Sequence, residues 1–347
     1  MGVPKLSFRE SLEEKVVLID KCMACGGCVI SCPIKVLEYM GERPKIVGEC
    51  TTCGICARIC PRYVMPWPSL EGFVFGRERR PEEEFGIHRR IVAARTRDEN
   101  ILRVCQDGGV VTTLLIYALK NGIIDGVILS GVGKEKPFFP IPRLAVASEE
   151  VLECAGTRYS YSPNLLALQE AIKLKKESIA FVGTPCQIHT IRKMQMFPLK
   201  KYVKALNFTI GLMCTEAFTY EGLMEKQIRG ALGLYLHEIE KINIKAKVLV
   251  TTKSGEVKEI PLKDAKQYTR KTCLPCTDFS AELADISTGG LGLKDWTLTI
   301  LRTEKGEEIF RGAEKEGLIE TKPMEEETGA LDLLIKLSKR KRLNAQA

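Results

Sequence analysis

Apolar and polar positions alternate along most of the chain at the spacings of strands and helices. Gly109–Leu119 is an apolar run with helical spacing, stopped by Asn121-Gly122, and the strand-like run Gly126–Ser130 follows it. Ser162-Pro163 predicts a helix start, with Ser as N-cap and Pro in the first turn, and Leu165, Leu168 and Ile172 then share one face. Ser178–Val182 predicts a buried strand, Thr184-Pro185 opens the next helix in the same way, and Val203–Met213 predicts another buried strand. From about Gly86 onward this rhythm predicts an α/β domain with a largely parallel or mixed sheet.

Past Tyr235 the pattern changes. Lys247–Thr252 and Val257–Pro261, on either side of Ser254-Gly255, predict a β-hairpin. Lys271–Gly292 is rich in Cys and Gly and predicts a loop, and Trp296–Arg302 predicts a strand. From Glu325 the chain predicts an exposed helix that ends in a basic run. Pro61 to Glu84 carries Pro66, Pro68, Pro81 and the charge run Arg77–Glu84, and reads as a linker.

Composition narrows the class. Of 347 residues 45% are hydrophobic and 28% charged, the balance of a globular chain with a sizeable core. The apolar stretches Val110–Leu119 and Ile123–Val132 fall short of the ~18 residues of a membrane span. The start, MGVPKLSFRESLEEK, has no apolar signal region, and Leu6 stands where a myristoylation signal needs Ser or Thr. The expected location is the cytoplasm. Of the net charge of +8, five charges are Lys336, Lys339, Arg340, Lys341 and Arg342, so the body carries little excess and no nucleic-acid partner is expected. The tail is expected to be either a solvated helix end or a salt-sensitive dock onto an acidic partner, remote from any cofactor.

Fourteen cysteines decide the chemistry. In a cytoplasmic chain they point to metal ligands or redox groups rather than disulfides. Eight lie in Cys22-Met-Ala-Cys25-Gly-Gly-Cys28-Val-Ile-Ser-Cys32-Pro33 and its repeat Cys50-Thr-Thr-Cys53-Gly-Ile-Cys56-Ala-Arg-Ile-Cys60-Pro61. This doubled C-x₂-C-x₂-C-x₃-C-P is the spacing of two-cluster ferredoxins, in which the fourth cysteine of each motif serves the other cluster. Cys22, Cys25, Cys28 and Cys60 are expected to hold one 4Fe-4S cluster, and Cys50, Cys53, Cys56 and Cys32 the second. A pair of Cys₄ zinc sites fits the 2-2-3 spacing poorly.

Six cysteines remain. Cys273-Leu-Pro-Cys276 reads as a redox pair, a zinc half-site or part of another cluster. Cys186 stands at a predicted helix start, where the dipole favours thiolate, and Cys214 ends a strand at the carboxyl edge where α/β sheets place sites. Four cysteines at strand ends and loops could close a third 4Fe-4S site, while buried Cys is also an ordinary small core residue. Cys105-Gln-Asp-Gly108-Gly109-Val-Val-Thr112 runs into a helix and offers an anion-binding start or a plain helix entry. The dinucleotide fingerprint GxGxxG is absent. Asp285-Ile-Ser-Thr-Gly289-Gly290-Leu-Gly292 is a second Gly-rich segment. His88, His189 and His237 form no ligand set.

CQDGGVVTTLL, GTPCQIHTIRK, GLMC, KTCLPCTDFSAELADISTGGLG and WTLTILRTEKG come in one order over residues ~90 to ~320. In that order they resemble the family of coenzyme F(420) hydrogenase and dehydrogenase beta subunits. The resemblance implies FAD, coenzyme F(420) as substrate, and a third 4Fe-4S cluster on Cys186, Cys214, Cys273 and Cys276. It places Gly108, Gly109, Thr112, Thr184, Asp285, Gly289 and Gly290 at the flavin. Arg158, Arg192 and Lys193 are candidates, by position, for the anionic groups of F(420). The organisation expected is 1–75 ferredoxin-like, 85–325 FAD- and cluster-binding with a mixed sheet, and 326–347 basic tail, a mixed α/β chain overall. The fused ferredoxin part looks like the electron-input subunit of F(420) dehydrogenase complexes, peripheral on the inner face of a membrane through partner subunits that reduce a quinone or phenazine. Soluble ferredoxin:F(420) oxidoreductases, the fused half of an F(420)-dependent sulfite reductase, and beta subunits of F(420)-dependent formate dehydrogenase or hydrogenase are the alternatives.

Overall fold

The computed structural model describes residues 6–197 and 199–345, so Met1–Lys5, on which part of the N-terminal reading rests, lie outside the described residues. Among the described residues thirteen strands form three sheets. In the N-terminal part β1 (Leu37–Met40) pairs antiparallel with β2 (Arg43–Ile46). The main sheet has eight strands: β3 (Arg90–Thr96), β4 (Gly126–Val132), β5 (Pro140–Ala145), β6 (Ile179–Gly183), β7 (Leu206–Leu212), β11 (Ile286–Gly289), β12 (Thr297–Leu301) and β13 (Ile319–Pro323). Their order is β13-β3-β12-β11-β7-β6-β4-β5. The four central strands, β11, β7, β6 and β4, run parallel and the outer pairings are antiparallel, so the sheet is mixed, as the strand–helix rhythm predicts.

Alternation sets the two faces. Val127 and Leu129 of β4, with Ala180 and Val182 of β6, meet Leu114 and Leu115 of helix Val110–Lys120 and Ile309 and Phe310 of helix Glu304–Lys315. Ile128, Ile179 and Phe181 point the other way, onto Ile188, Ile191 and Met194 of helix Pro185–Met196. That second layer also takes in Ile30, Ile59 and Leu70 from the N-terminal region, so the ferredoxin-like part shares this core. The predicted hairpin is present: β9 (Lys247–Thr252) pairs antiparallel with β10 (Val257–Pro261) and with β8 (Ile239–Ile244).

Several expectations differ from the structure. The segment Pro61 to Glu84, expected as a linker, contains the helix Trp67–Phe75, whose Leu70 is buried in the second layer. The strand predicted over Val203–Met213 begins only at Leu206, because Lys200–Val203 makes a helical turn before it. Ser162 does not cap a helix. Its hydroxyl bonds Asn164 Oδ1 at 2.6 Å, and a 3₁₀ turn over Asn164–Ala167 precedes the helix Leu168–Lys173. The loop predicted over Lys271–Gly292 contains β11, which is buried between β7 and β12.

The tail is a correction of larger consequence. Helix Thr328–Asn344 is not a solvated appendage: Ala330, Leu334 and Ser338 are buried, and the first two pack on Leu298 and Ile300 of β12. Of its five cations, Lys339 pairs with Glu84 at 2.8 Å, Arg342 with Glu282 at 2.6 Å, and Lys341 donates to the carbonyls of Cys214 and Thr215. Lys336 and Arg340 are exposed. Gln346 and Ala347 lie outside the described residues.

One buried ion pair ties the helices to the sheet centre. Asp285, just before β11, accepts from the Thr209 backbone N–H (2.7 Å), Thr209 Oγ1 (2.8 Å) and Thr303 Oγ1 (2.7 Å), and faces Arg192 at 2.9 Å. Asp285→Ala strands Arg192 without its counter-charge in the core, and breaking such a pair costs about 3–5 kcal/mol. The expected outcome is a clear fall in the urea unfolding midpoint, followed by circular dichroism; an unmoved midpoint would contradict this structural role.

Candidate functional site

The two ferredoxin motifs fold alike because their local geometry is dictated alike. Ala24 and Thr52 take left-handed backbone (φ 61° and 54°), as do Gly26 and Gly54 (φ 80° and 68°). These turns aim amides inward: Ala24 N–H lies 3.4 Å from Cys22 Sγ and Thr52 N–H 3.4 Å from Cys50 Sγ. One helical turn follows each, Gly27–Ser31 and Ile55–Ile59. Cys32 and Cys60 then leave the helix in extended conformation, as residues before proline must. One cavity is lined by Cys22, Cys25, Cys28 and Cys60, and a second by Cys32, Cys50, Cys53 and Cys56.

These thiols line walls rather than converge on a point. Among the described residues no three Cys, His, Asp or Glu approach closely enough to hold a single ion. Four thiols spread around a cavity suit a polyatomic group, which is what the doubled motif requires. Burial pushes Cys28 well up, and the neighbouring thiols of Cys25, Cys22 and Cys60 add to it. Burial likewise raises Cys56 to about 11, with Cys53, Cys50 and Cys32 contributing.

A third set forms at the carboxyl ends of β6 and β7. These strands are parallel neighbours, so the segments leaving them lie side by side. Thr184 caps helix Pro185–Met196, and its hydroxyl lies 3.2 Å from Cys186 Sγ in the first turn. Cys214 follows β7 and its N–H donates to Phe279 O at 2.9 Å. Cys273 Sγ lies 3.4 Å from the Ala217 N–H, and the Cys276 N–H donates to Cys273 O. Cys186 and Cys214 register other thiols of the set. Burial raises Cys186 to about 11 with Cys276 and Cys273 adding, and raises Cys214 further with Cys273, Cys186 and Cys276 adding. Cys105 and Cys154 are buried in the core away from this set.

Between the first and third sets lies a protein-filled seam. Thr190 Oγ1 sits 3.2 Å from Cys186 O and 3.6 Å from Cys25 Sγ, touching both. Lys193, one turn on, donates to Cys60 O at 2.8 Å and to Val64 O; burial lowers it to about 8. Arg62 reaches across to Pro275 O (2.9 Å) and Thr272 O (3.0 Å), and Thr272 Oγ1 donates to Lys21 O (3.0 Å). Tyr161 carries a buried hydroxyl with no partner among the described residues; the thiols of Cys186 and Cys25 both act on it, and Arg270 stacks on its ring at 4.5 Å. An orphaned donor among thiols fits a site whose acceptor is a cluster sulfur.

The residues expected at the flavin are brought together only in part. Gly290 lies against the Asp107 carboxylate, and the Gly108 N–H donates to Thr297 Oγ1 at 2.9 Å, so the two Gly-rich segments do meet. Gly109, left-handed at φ 72°, starts helix Val110–Lys120 with Thr112 buried in its first turn. The expected close backbone access needs correcting, however. A Cβ at Gly108 would strike Ala94 O and Thr297 N, at Gly289 the Met213 side chain, and at Gly290 Asp107. These glycines are small because protein abuts them, and the Asp107 carboxylate has the wrong sign for a pyrophosphate. Asp285 is saturated within the fold, and Arg158 donates to Cys154 O and Gly156 O. Arg192 is held by Leu283 O and Asp285, and Lys193 by the seam, so neither is free for F(420).

Comparison with known proteins agrees with the fold. Residues 91–169 match the N-terminal family model, and residues 176–327 the C-terminal one, of the beta subunit in "Coenzyme F(420) hydrogenase/dehydrogenase"; residues 15–61 match "4Fe-4S dicluster domain". The beta subunit of the coenzyme F(420) hydrogenase of Methanosarcina barkeri is 41% identical over 72% of this chain and 87% of its own length. The subunit designated F in the F(420)H(2) dehydrogenase of Methanosarcina mazei is 32% identical over 94% of this chain and 91% of its own. A chain of the F(420)-reducing nickel–iron hydrogenase complex of Methanosarcina barkeri superposes with a TM-score of 0.73 at 38% identity, over 76% of this chain and 92% of that one.

A 4Fe-4S cluster on each of the three four-thiol sets would give about twelve irons per chain. Serine at both Cys273 and Cys276 is expected to remove about four and leave the ferredoxin-type signals intact by iron analysis and electron paramagnetic resonance. Unchanged iron would mean that the third set holds no cluster.

Proposed function

The chain belongs to the family of coenzyme F(420) hydrogenase and dehydrogenase beta subunits, and we propose that it is an electron-input subunit. It would oxidise reduced F(420) with FAD as hydride acceptor, and pass electrons singly through three 4Fe-4S clusters to a partner complex. Membership makes it part of an F(420)-dependent oxidoreductase and carries 4Fe-4S binding with it. Among the described residues no helix is long and apolar enough to cross a membrane, which agrees with attachment through partner subunits.

The observation that carries the reading is the seam. One helix holds Cys186 at its start, touches Cys25 through Thr190 and grips the Cys60 carbonyl through Lys193. When bound, a flavin would supply the conversion of the two-electron hydride of reduced F(420) into single electrons, which 4Fe-4S groups could carry. What the chain itself supplies is placement. Parallel strands β6 and β7 present Cys186 and Cys214 together, and Arg62, Thr272 and Arg270 lock the CxxC segment onto the N-terminal motif. Lys193, Arg192 and Asp285 are buried with their charges met by protein groups.

FAD enters on chemical grounds and on the resemblance, with no contacts assigned to it. A membrane complex reducing a quinone or phenazine is favoured as acceptor because the F(420)H(2) dehydrogenase subunit matches nearly end to end. The hydrogenase beta subunits match 72–75% of this chain. The F(420)-dependent sulfite reductase of Methanocaldococcus jannaschii is matched over only 47% of its length.

Reduced F(420) is expected to bleach the bound flavin rapidly and to drive reduction of an artificial one-electron acceptor. NADH, for which the chain has no GxGxxG turn, should do so slowly or not at all. Stopped-flow absorbance decides it; equal rates for both donors would sink the deazaflavin assignment, and absence of released FAD on denaturation would remove the flavin.

A further inference from the structure

A lysine in the last turn of the C-terminal helix reaches the third thiol set. Ala330, Leu334 and Ser338 mark its buried face, and Lys341 continues it. The Lys341 ammonium donates to Cys214 O at 3.1 Å and to Thr215 O, next to the ligand cysteine. Its neighbours on the same helix fix it there: Arg342 pairs with buried Glu282 and donates to Glu84 O, and Lys339 pairs with Glu84.

We propose that Lys341 is a positioning residue that holds a fixed positive charge against the Cys186–Cys214–Cys273–Cys276 set and thereby raises the reduction potential of the group bound there. The proposal rests on the reading of that set as a cluster site. Adding one electron to such a group adds one negative charge, and a cation fixed nearby in a partly dry setting stabilises the reduced form more than the oxidised. The effect is selective, since the first and second sets have other neighbours. Cys22 has Arg270, Arg43 and Arg62 as its cationic influences, while Cys56 is influenced by thiols and by nearby backbone.

The test uses the full-length protein with its clusters in place, iron analysis and a redox titration followed by electron paramagnetic resonance. Lys341→Gln should keep its iron and move one of three midpoints to lower potential. A tenfold weaker reduction equilibrium corresponds to about 59 mV for one electron. Lys341→Arg should restore the midpoint, and Arg340→Gln, at an exposed neighbour, should leave all three where they are. An unmoved set of midpoints in Lys341→Gln overturns the proposal, and so does loss of about four irons from that variant, which would make the lysine a structural strap. If serine at Cys273 and Cys276 costs neither iron nor a midpoint, it is the third-cluster reading that fails, a result the Lys341 variants cannot mimic.

Discussion

Two carboxylates buried just behind Cys276 govern how the chain closes around its thiols. Asp278 and Glu282 lie in the interior, where an uncompensated charge costs several kcal/mol. Each is therefore tied to a different part of the chain. Asp278 meets His189 at 2.8 Å on the helix that begins with Cys186; burial works to raise its carboxyl, and His189 holds it below the usual range. Glu282 accepts from Arg79 of the connecting segment and from Arg342 of the last helix. Burial, with Asp278 beside it, pushes Glu282 up. Arg302, itself buried, binds Ser280, Ser287 and the Ile87 carbonyl beneath them. Neutralising two charges thus brings four sequence-distant segments to one place, and the third thiol set is at its edge.

That closure explains why the ferredoxin-like part is fixed to the sheet domain. Glu71 and Glu282 both hold Arg79, whose guanidinium also lies 5.0 Å from the Trp67 ring, and Trp67 meets His189 edge-on. The helix Trp67–Phe75 is consequently part of the core and not a free linker. A seam bridged by protein hydrogen bonds suits transfer of charge between fixed groups, because the groups around it are already held in place.

Features set by neighbours in sequence were readable before the fold was known. Cysteine spacing, the prolines after Cys32 and Cys60, and the Thr184-Pro185 helix start each act within a few residues. Features set by distant partners were not. β11 is a short Gly-ending segment whose identity comes from pairing with β7 on one side and β12 on the other. Asp285 looks like part of a flexible Gly-rich loop until Thr209, Thr303 and Arg192 surround it. The basic tail misled because its charge is conspicuous and its spacing is not. Ala330, Leu334, Ser338 and Lys341 fall at intervals of four, four and three, one helical face, and that pattern was the available signal that Lys341 points inward.

The placement of cations follows from the same electrostatics. Four thiolates with a cluster form an anion, and burying an anion demands a counter-charge. The first set is influenced by Arg270, Arg43 and Arg62 at Cys22, and the third by Lys341 at Cys214 and by Arg62 at Cys186. Arg62 acts on both. It stands two residues after Cys60 and spends its hydrogen bonds on the carbonyls of Thr272 and Pro275, so its charge lies along the seam. In sequence it is merely the residue after Cys60-Pro61. In the fold it is the cation shared by two thiol sets, and the distance between those sets cannot widen without breaking its bonds.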